Sequence, residues 1–223
     1  MRANENLILV CTCRPPLFFE KPKMLCYRCV HKKTFLHSDW QQGHPEMTAS
    51  EPLTLEEEFE MQRTWHTDDD KCTFIVLARP PNLATDELTV SAIKAHAKMI
   101  GDVNLFLNHP DDDRSFAEIE IMIAEEAYRR GGRGSEALKI MMGYALTRLD
   151  IATFQAKISY TNMPSVDLFT RGLGFTQISE SEVFQERTFE WSLKVPEEGE
   201  KVKEVRDEVL RGWGQVVQRR WDE

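Results

Sequence analysis

No apolar run in this chain approaches the ~18 residues of a membrane span. The stretch 7–10 is too short and too poorly flanked for a secretory signal. A cytoplasmic protein with no membrane partner is therefore expected. Cysteine is sparse and odd in number, five residues, which fits reduced thiols better than a disulfide framework. A basic excess is missing too. The 28 Lys and Arg stand against 37 Asp and Glu, a net charge of −9. Phosphate backbones attract the opposite sign, so nucleic acid is not expected as a partner. The spacings G-x-G-x-x-G and G-x-x-x-x-G-K-[ST] do not occur, which removes the dinucleotide fingerprint and the P-loop. No internal repeat is visible.

What remains is a globular composition. The 223 residues, 41% hydrophobic and 29% charged, suit one ordinary domain with appendages. Patterning divides the chain into an N-terminal segment at 1–47, an orderly domain at 48–195 and a polar tail at 196–223. Strands are expected at 7–10, 73–77, 99–107, 117–123, 154–159, 175–178 and 184–193. Helices are expected at 54–65, at about 92–97, at 135–149 and at 164–171. Thr54 and Glu57 form a capping box at the start of the first helix. This order implies an α/β fold, a mixed sheet with helices on its faces. In the tail, Val202, Val205, Val209, Trp213, Val216 and Val217 recur at helical spacing. They suggest a packing helix, or one that offers Trp213 and Trp221 to a partner.

The densest information lies where Glu118-Ile119-Glu120-Ile121-Met122-Ile123 runs into Arg129-Arg130-Gly131-Gly132-Arg133-Gly134-Ser135. An alternating strand meets a glycine turn, and the turn opens a helix. The start of a helix carries unpaired amides and partial positive charge, which suits a diphosphate. Gly132 and Gly134, lacking Cβ, allow close approach and positive φ. Downstream, a strand leads to Asn162-Met163-Pro164-Ser165, then Leu168-Phe169 and Gly174-Phe175.

The spacing Arg129-x-x-Gly132-x-Gly134, followed by this second half, resembles the GCN5-related N-acetyltransferase (GNAT) superfamily. The segments 48–54, 71–77, 101–107 and 183–186 resemble its N-acetyltransferase 9 group. The resemblance implies a mostly antiparallel mixed sheet with helices on both faces, and acetyl-CoA as co-substrate. It implies cofactor contacts from Ile121, Met122, Ile123, Arg129, Arg130, Gly131, Gly132, Arg133, Gly134, Ser135, Asn162, Ser165 and Phe169. The strand after the glycine-loop helix should splay from its neighbour and leave room for the pantetheine arm. A backbone amide of Ile121 or Ile123 is implied as the oxyanion donor.

Glu118 and Glu120 point to one face of their strand, and either could be the base, directly or through water. Many relatives carry a proton-donating tyrosine where this chain has Phe169. The span 165–175 also looks one residue longer than usual, with Gly172 as the extra residue.

The expected activity is acetyl transfer to a primary amine of a protein or peptide. An N-terminal α-amine is favoured over lysine, because at pH 7 roughly 10–20% of an α-amine is neutral against ~0.04% of a lysine. The segment 11–46 does not match the family. It is basic, bears proline and cysteine, and shows no sustained period; residues 1–50 hold seven Lys or Arg against four Asp or Glu. Cys11, Cys13, Cys26, Cys29 and His31 raise a zinc reading, but the C-x-C pair is tight for a zinc ribbon, and no metal is assigned. A poorly ordered or variant segment replacing the acceptor-side helices is expected instead. That opens a second reading, a catalytically weak acetyl-CoA-fold protein acting as a binding module.

Overall fold

The computed structural model describes residues 7–11, 24–28, 54, 56, 57, 60, 68–80, 87–107, 111, 113–194 and 199–220. In chain order the elements are β1 (Leu7–Cys11), β2 (Met24–Arg28), β3 (Lys71–Ala78), α1 (Val90–His96), β4 (Lys98–Phe106), β5 (Phe116–Ile123), α2 (Arg133–Arg148), β6 (Thr153–Ser159), α3 (Met163–Asp167), β7 (Thr176–Ser181), β8 (Glu186–Ser192), α4 (Glu200–Trp213) and β9 (Val216–Arg220). The nine strands form one sheet in the order β7-β8-β6-β5-β4-β3-β2-β1-β9. Within the central run only β5 and β6 are parallel, as expected of a mixed, mostly antiparallel sheet.

Register sorts the side chains by face. Thr73 opposes Asn104, Ile75 opposes Asp102, and Asn104 and Asp102 oppose Glu120 and Met122. Cross-strand partners share a face. One face of β3, β4 and β5 thus carries Lys71, Thr73, Asp102, Asn104, Glu118 and Glu120. The other face carries Cys72, Phe74, Val76, Val103, Leu105, Ala117 and Ile119, all buried in the main core. Helix α2 covers this apolar face with Ala137, Leu138, Met141, Met142 and Ala145. Helix α1 joins a separate apolar cluster with Leu77, Leu88, Ile93 and Ala97, with Ile75 and Met99 against it. That places helices on both faces.

Helix α4 belongs to the main core. Val205 and Val209 are fully buried, and Trp213 packs edge-on to Tyr144 with ring centroids 6.0 Å apart. The α2–α4 approach is tight at Gly143, where a Cβ would stand 2.9 Å from Trp213 Cβ. Trp213 is therefore an internal packing residue and not a free anchor. The helix also ends sooner than the apolar spacing suggests. Val216 and Val217 lie in β9, which pairs antiparallel with β1, because β-branched residues fit a sheet edge once Gly214 has ended the helix.

Other differences have local causes. The segment 11–46 shows no readable period, yet Met24–Arg28 forms a strand in register with β3; its residues Leu25-Cys26-Tyr27 suit a sheet. The strand expected at 184–193 begins at Glu186, because residues 182–185 form the turn from β7. The helix expected at 164–171 holds α-geometry only through Asp167 and continues as a π turn over Leu168–Gly172. Such a turn absorbs one additional residue, matching the extra length at Gly172. The capping box is present: Thr54 N donates to Glu57 Oε2 at 2.8 Å and Glu57 N to Thr54 Oγ1 at 3.4 Å. Most of the expected 54–65 helix lies outside the described residues, as do Cys13, Cys29, His31 and Trp221.

The α4 packing sets a measurable expectation. Trp213→Ala should lower stability by about 2 kcal/mol, less than for a fully buried tryptophan because Trp213 is only partly buried. Urea unfolding should show a lower midpoint with an unchanged m-value, and an unchanged midpoint would contradict this packing.

Candidate active site

The site begins where two strands separate. Strands β5 and β6 pair only at Phe116↔Thr153, Ala117↔Phe154 and Glu118↔Gln155. Beyond these residues β5 stays paired with β4 through Ile123, and β6 stays paired with β8 through Ser159. Each strand keeps its outer partner while the inner edges part. Ala124 N donates to Ile100 O of β4 at 2.9 Å. Alternation along the strand turns the amides of Met122 and Glu120 the same way. The amides of Ile119, Ile121 and Ile123 consequently face the gap.

The glycine turn delivers α2 to the mouth of that gap. Arg130 and Gly132 both have positive φ, 60° and 81°. Gly132 is the N-cap of α2, and its conformation is one that a β-branched residue resists. The first helical bond runs from Glu136 N to Gly132 O at 3.0 Å, so the amides of Arg133, Gly134 and Ser135 precede the helical ladder. A Cβ built on Gly132 would meet no atom within 4 Å, and one on Gly134 would touch only Leu168, Ile121 and Ile123 at 3.7–4.0 Å. The space before both glycines is open, bounded by the strand gap and by Leu168.

The arginines of this turn brace it from behind. Arg129 Nε donates to Ile123 O at 2.8 Å, and its Nη2 donates to Ala124 O at 2.7 Å, which ties the turn to the end of β5. Arg133 lies over the Tyr128 ring with its guanidinium carbon 4.9 Å from the centroid, and its Nη1 donates to Tyr128 O at 3.3 Å. Arg133 Nε is buried without a hydrogen-bond partner. Among the site's arginines, Arg130 is the exposed one.

Beyond the gap, Asn162 caps α3, its Oδ1 accepting from Ser165 N at 3.3 Å. That use of the oxygen leaves the amide nitrogen as the group suited to a pantetheine carbonyl. Phe169, expected at the cofactor, is only 3% exposed, and its ring stands edge-on to Phe175 with centroids 5.0 Å apart. The π turn buries Phe169 in the core, while Leu168 faces Gly134. The motif contains Leu168 without assigning it a contact, because an apolar side chain at helical spacing carries no sign of which neighbour it will meet.

The polar face of the sheet supplies the titratable groups. Lys157 Nζ donates to Glu118 Oε2 at 2.7 Å, and this contact raises the proton affinity of Lys157. Glu120 has its proton affinity raised, first by partial burial and then by the Glu118 charge, against Lys71 and Lys157. Asp102, Asn104 and Thr73, none of which was expected in the site, form a chain on the same face. Thr73 Oγ1 donates to Asn104 Oδ1 at 2.6 Å, and Asn104 Nδ2 donates to Asp102 Oδ1 at 2.7 Å. Burial pushes the Asp102 carboxyl up to about 6; Asn104 opposes the rise and the Glu120 charge adds to it. A hint was present in the polar–apolar alternation of Gly101-Asp102-Val103-Asn104-Leu105, but alternation alone does not say which face meets a ligand.

Three features fit a coenzyme A thioester: open space before Gly132, helix-end amides for a diphosphate, and a strand gap with inward amides for an amide-bearing arm. Comparisons with known proteins agree. The model of the family described as "Acetyltransferase (GNAT) domain" matches residues 32–176. The chain belongs to the GNAT acetyltransferase family; it is an acyltransferase, and acetyl-CoA is its co-substrate. Among curated relatives, an N-acetyltransferase 9-like protein of Nematostella vectensis is 47% identical over 70% of this chain and 75% of its own length. The alpha/beta-tubulin-N-acetyltransferase 9 of Mus musculus is 38% identical over 88% of this chain and 76% of its own length. Among solved structures, the N-acetyltransferase PseH of Campylobacter jejuni in complex with acetyl coenzyme A superposes with a TM-score of 0.51. That match has 16% identity and covers 77% of this chain and 99% of PseH, a likeness of fold.

The glycine geometry separates folding from binding. Because a Cβ on Gly134 makes only ordinary contacts with the protein, Gly134→Val should leave the melting temperature within a few degrees while its methyl groups enter the open space. Calorimetric affinity for acetyl-CoA is expected to fall at least about tenfold, some 1.4 kcal/mol. Unchanged affinity in a folded variant would remove the turn from the binding site.

Proposed function

We propose that this chain transfers the acetyl group of acetyl-CoA to a primary amine at the N-terminus of a protein or peptide. The observation that carries the reading is the placement of the β5–β6 gap between the α2 amides and a carboxylate-bearing sheet face. The helix-end amides and Gly132 would hold the diphosphate. The amide of Ile121 or Ile123 would bind the acyl oxygen as its charge grows. When bound, the thioester supplies an activated acyl carbon.

The face beside the gap suits a cationic acceptor. Asp102, Glu118, Glu120, Glu186 and Glu190 share it with Lys71 and Lys157 by register, a negative balance that attracts an ammonium. The proton acceptor is drawn from these carboxylates, and the sequence points to Glu118 and Glu120. Phe169 has no proton to give, so solvent or another donor returns a proton to the leaving thiolate. Several relatives bear names that assign them tubulin as acceptor. A protein N-terminus of that kind is the acceptor class inferred here. Among the described residues no helix is long and apolar enough to cross a membrane, and a cytoplasmic site of action is inferred with the acceptor.

Peptides with either a free α-amine or a lysine with a blocked N-terminus test this reading by acetyl transfer and CoA release. At pH 7 the α-amine peptides should react at least about tenfold faster, because an α-ammonium gives up its proton far more readily than a lysine ammonium. The preference should narrow as pH rises toward the lysine pKa. A preference for lysine throughout would overturn the α-amine assignment. Acetyl-CoA binding without transfer to either class would favour the binding-module reading instead.

A further inference from the structure

We propose that Asp102 is the group that accepts the proton from the acceptor amine, held in position by Asn104 and Thr73 with Glu120 as its charged neighbour. This rests on the acetyl-transfer reading above and names a residue within that site.

The first support is location. Asp102 lies on β4 opposite Met122 and diagonal to Glu120, one strand in from the gap edge, on the face where a cationic acceptor would settle. Its backbone is closely held, because a Cβ on the preceding Gly101 would overlap the Met122 carbonyl oxygen. Only glycine permits β4 and β5 to approach this closely.

The second support is orientation. The Thr73–Asn104–Asp102 chain binds Oδ1 and leaves Oδ2 outside it. A base turned by a second group, itself turned by a third, is the arrangement that proton transfer in a fixed direction requires. Thr73 is buried and Asn104 and Asp102 are partly buried, so water competes less for these bonds than at the open surface.

The third support is the state of the alternatives. Glu118 is engaged by Lys157 at 2.7 Å and would have to give up that partner to act. Glu120 is the more exposed of the two and only partly desolvated, whereas Asp102 is withdrawn further from solvent. The charged groups sharing this face among the described residues are Lys71 on β3, Glu118 and Glu120 on β5, Lys157 on β6, and Glu186 and Glu190 on β8. The carboxyl value of about 6 then follows from burial and from Glu120. It leaves Asp102 ionised at neutral pH yet close enough to neutrality to hold a proton.

The proton count closes. The acceptor arrives as an ammonium and loses one proton to the Asp102 carboxylate. The neutral nitrogen forms its bond to the acyl carbon, the carbon–sulfur bond breaks, and the electron pair leaves on sulfur. The nitrogen sheds its second proton to solvent, the thiolate takes one proton from solvent, and Asp102 releases its own. Amine acetylation from an ammonium therefore yields the amide, the free thiol and one net proton.

The test is the pH profile of kcat/KM for the full chain on an α-amine peptide, with acetyl-CoA calorimetry and thermal melting confirming that each variant is folded. The unaltered protein should lose activity on acidification with an apparent pKa near 6. In Asp102→Asn that limb should vanish, and kcat/KM at pH 7 should fall on the order of 10²-fold with acetyl-CoA affinity retained. Asn104→Ala removes a bond that favours the ionised form, so the limb should move to higher pH. Glu120→Gln removes a repelling charge, so the limb should move to lower pH and persist. Survival of the limb in Asp102→Asn, or its loss in Glu120→Gln, would overturn the assignment to Asp102 alone. Absence of acetyl transfer by the unaltered protein on any amine would overturn the acetyl-transfer reading and this assignment with it.

Discussion

The parting of β5 from β6 is the constraint from which the active site follows. Both strands are committed on their outer edges, β5 to β4 and β6 to β8, and they meet each other only at their first residues. Backbone amides turned into the gap have no strand to receive them. Such amides are left to water in the open gap, so the gap suits a ligand that can pair with a strand edge. The pantetheine arm of coenzyme A, with its two amides, is such a ligand. Bound along this edge, the co-substrate would complete a sheet that the chain leaves open.

Around this gap the two faces of the sheet divide the labour. The apolar face is anchored by α2, whose buried Ala, Leu and Met residues hold the helix in place, and this fixes where its N-terminal amides point. Arg129 ties the glycine turn to the carbonyls at the end of β5. The same residue that marks the motif in the sequence thus acts on the turn. Helix α4 backs α2 through the Trp213–Gly143 contact, and β9 extends the sheet beyond β1. The polar face carries the carboxylates, where partial withdrawal from water raises proton affinity and the Lys157 contact decides which carboxylate is already occupied.

The π turn shows how a local insertion is absorbed. One extra residue between Ser165 and Phe175 could have displaced α3 or shifted β7. Instead the helix widens over Leu168–Gly172, Phe169 turns into the core against Phe175, and Leu168 comes to border the gap. The length anomaly was visible in the sequence. Its consequence, Phe169 in the core and Leu168 beside Gly134, was not.

What the chain determined by itself is the part governed by short-range chemistry. Alternation at Glu118–Ile123 specifies a strand with its two glutamates on one face, and Gly132 supplies the positive φ that starts α2. Thr54 and Glu57 make their capping box, and Asn162 caps α3. Each depends on residues within a turn or two of one another, so spacing alone reveals it. The tertiary structure decided whatever depends on partners distant in the chain. Thr73, Asn104 and Asp102 join only because β3 and β4 pair in one register, and Glu118 meets Lys157 across 39 residues. Val216 and Val217 leave the helical pattern because β1 offers them an edge. Hydrogen-bond register and burial set proton affinity and contact, and neither exists until strands far apart in sequence lie side by side.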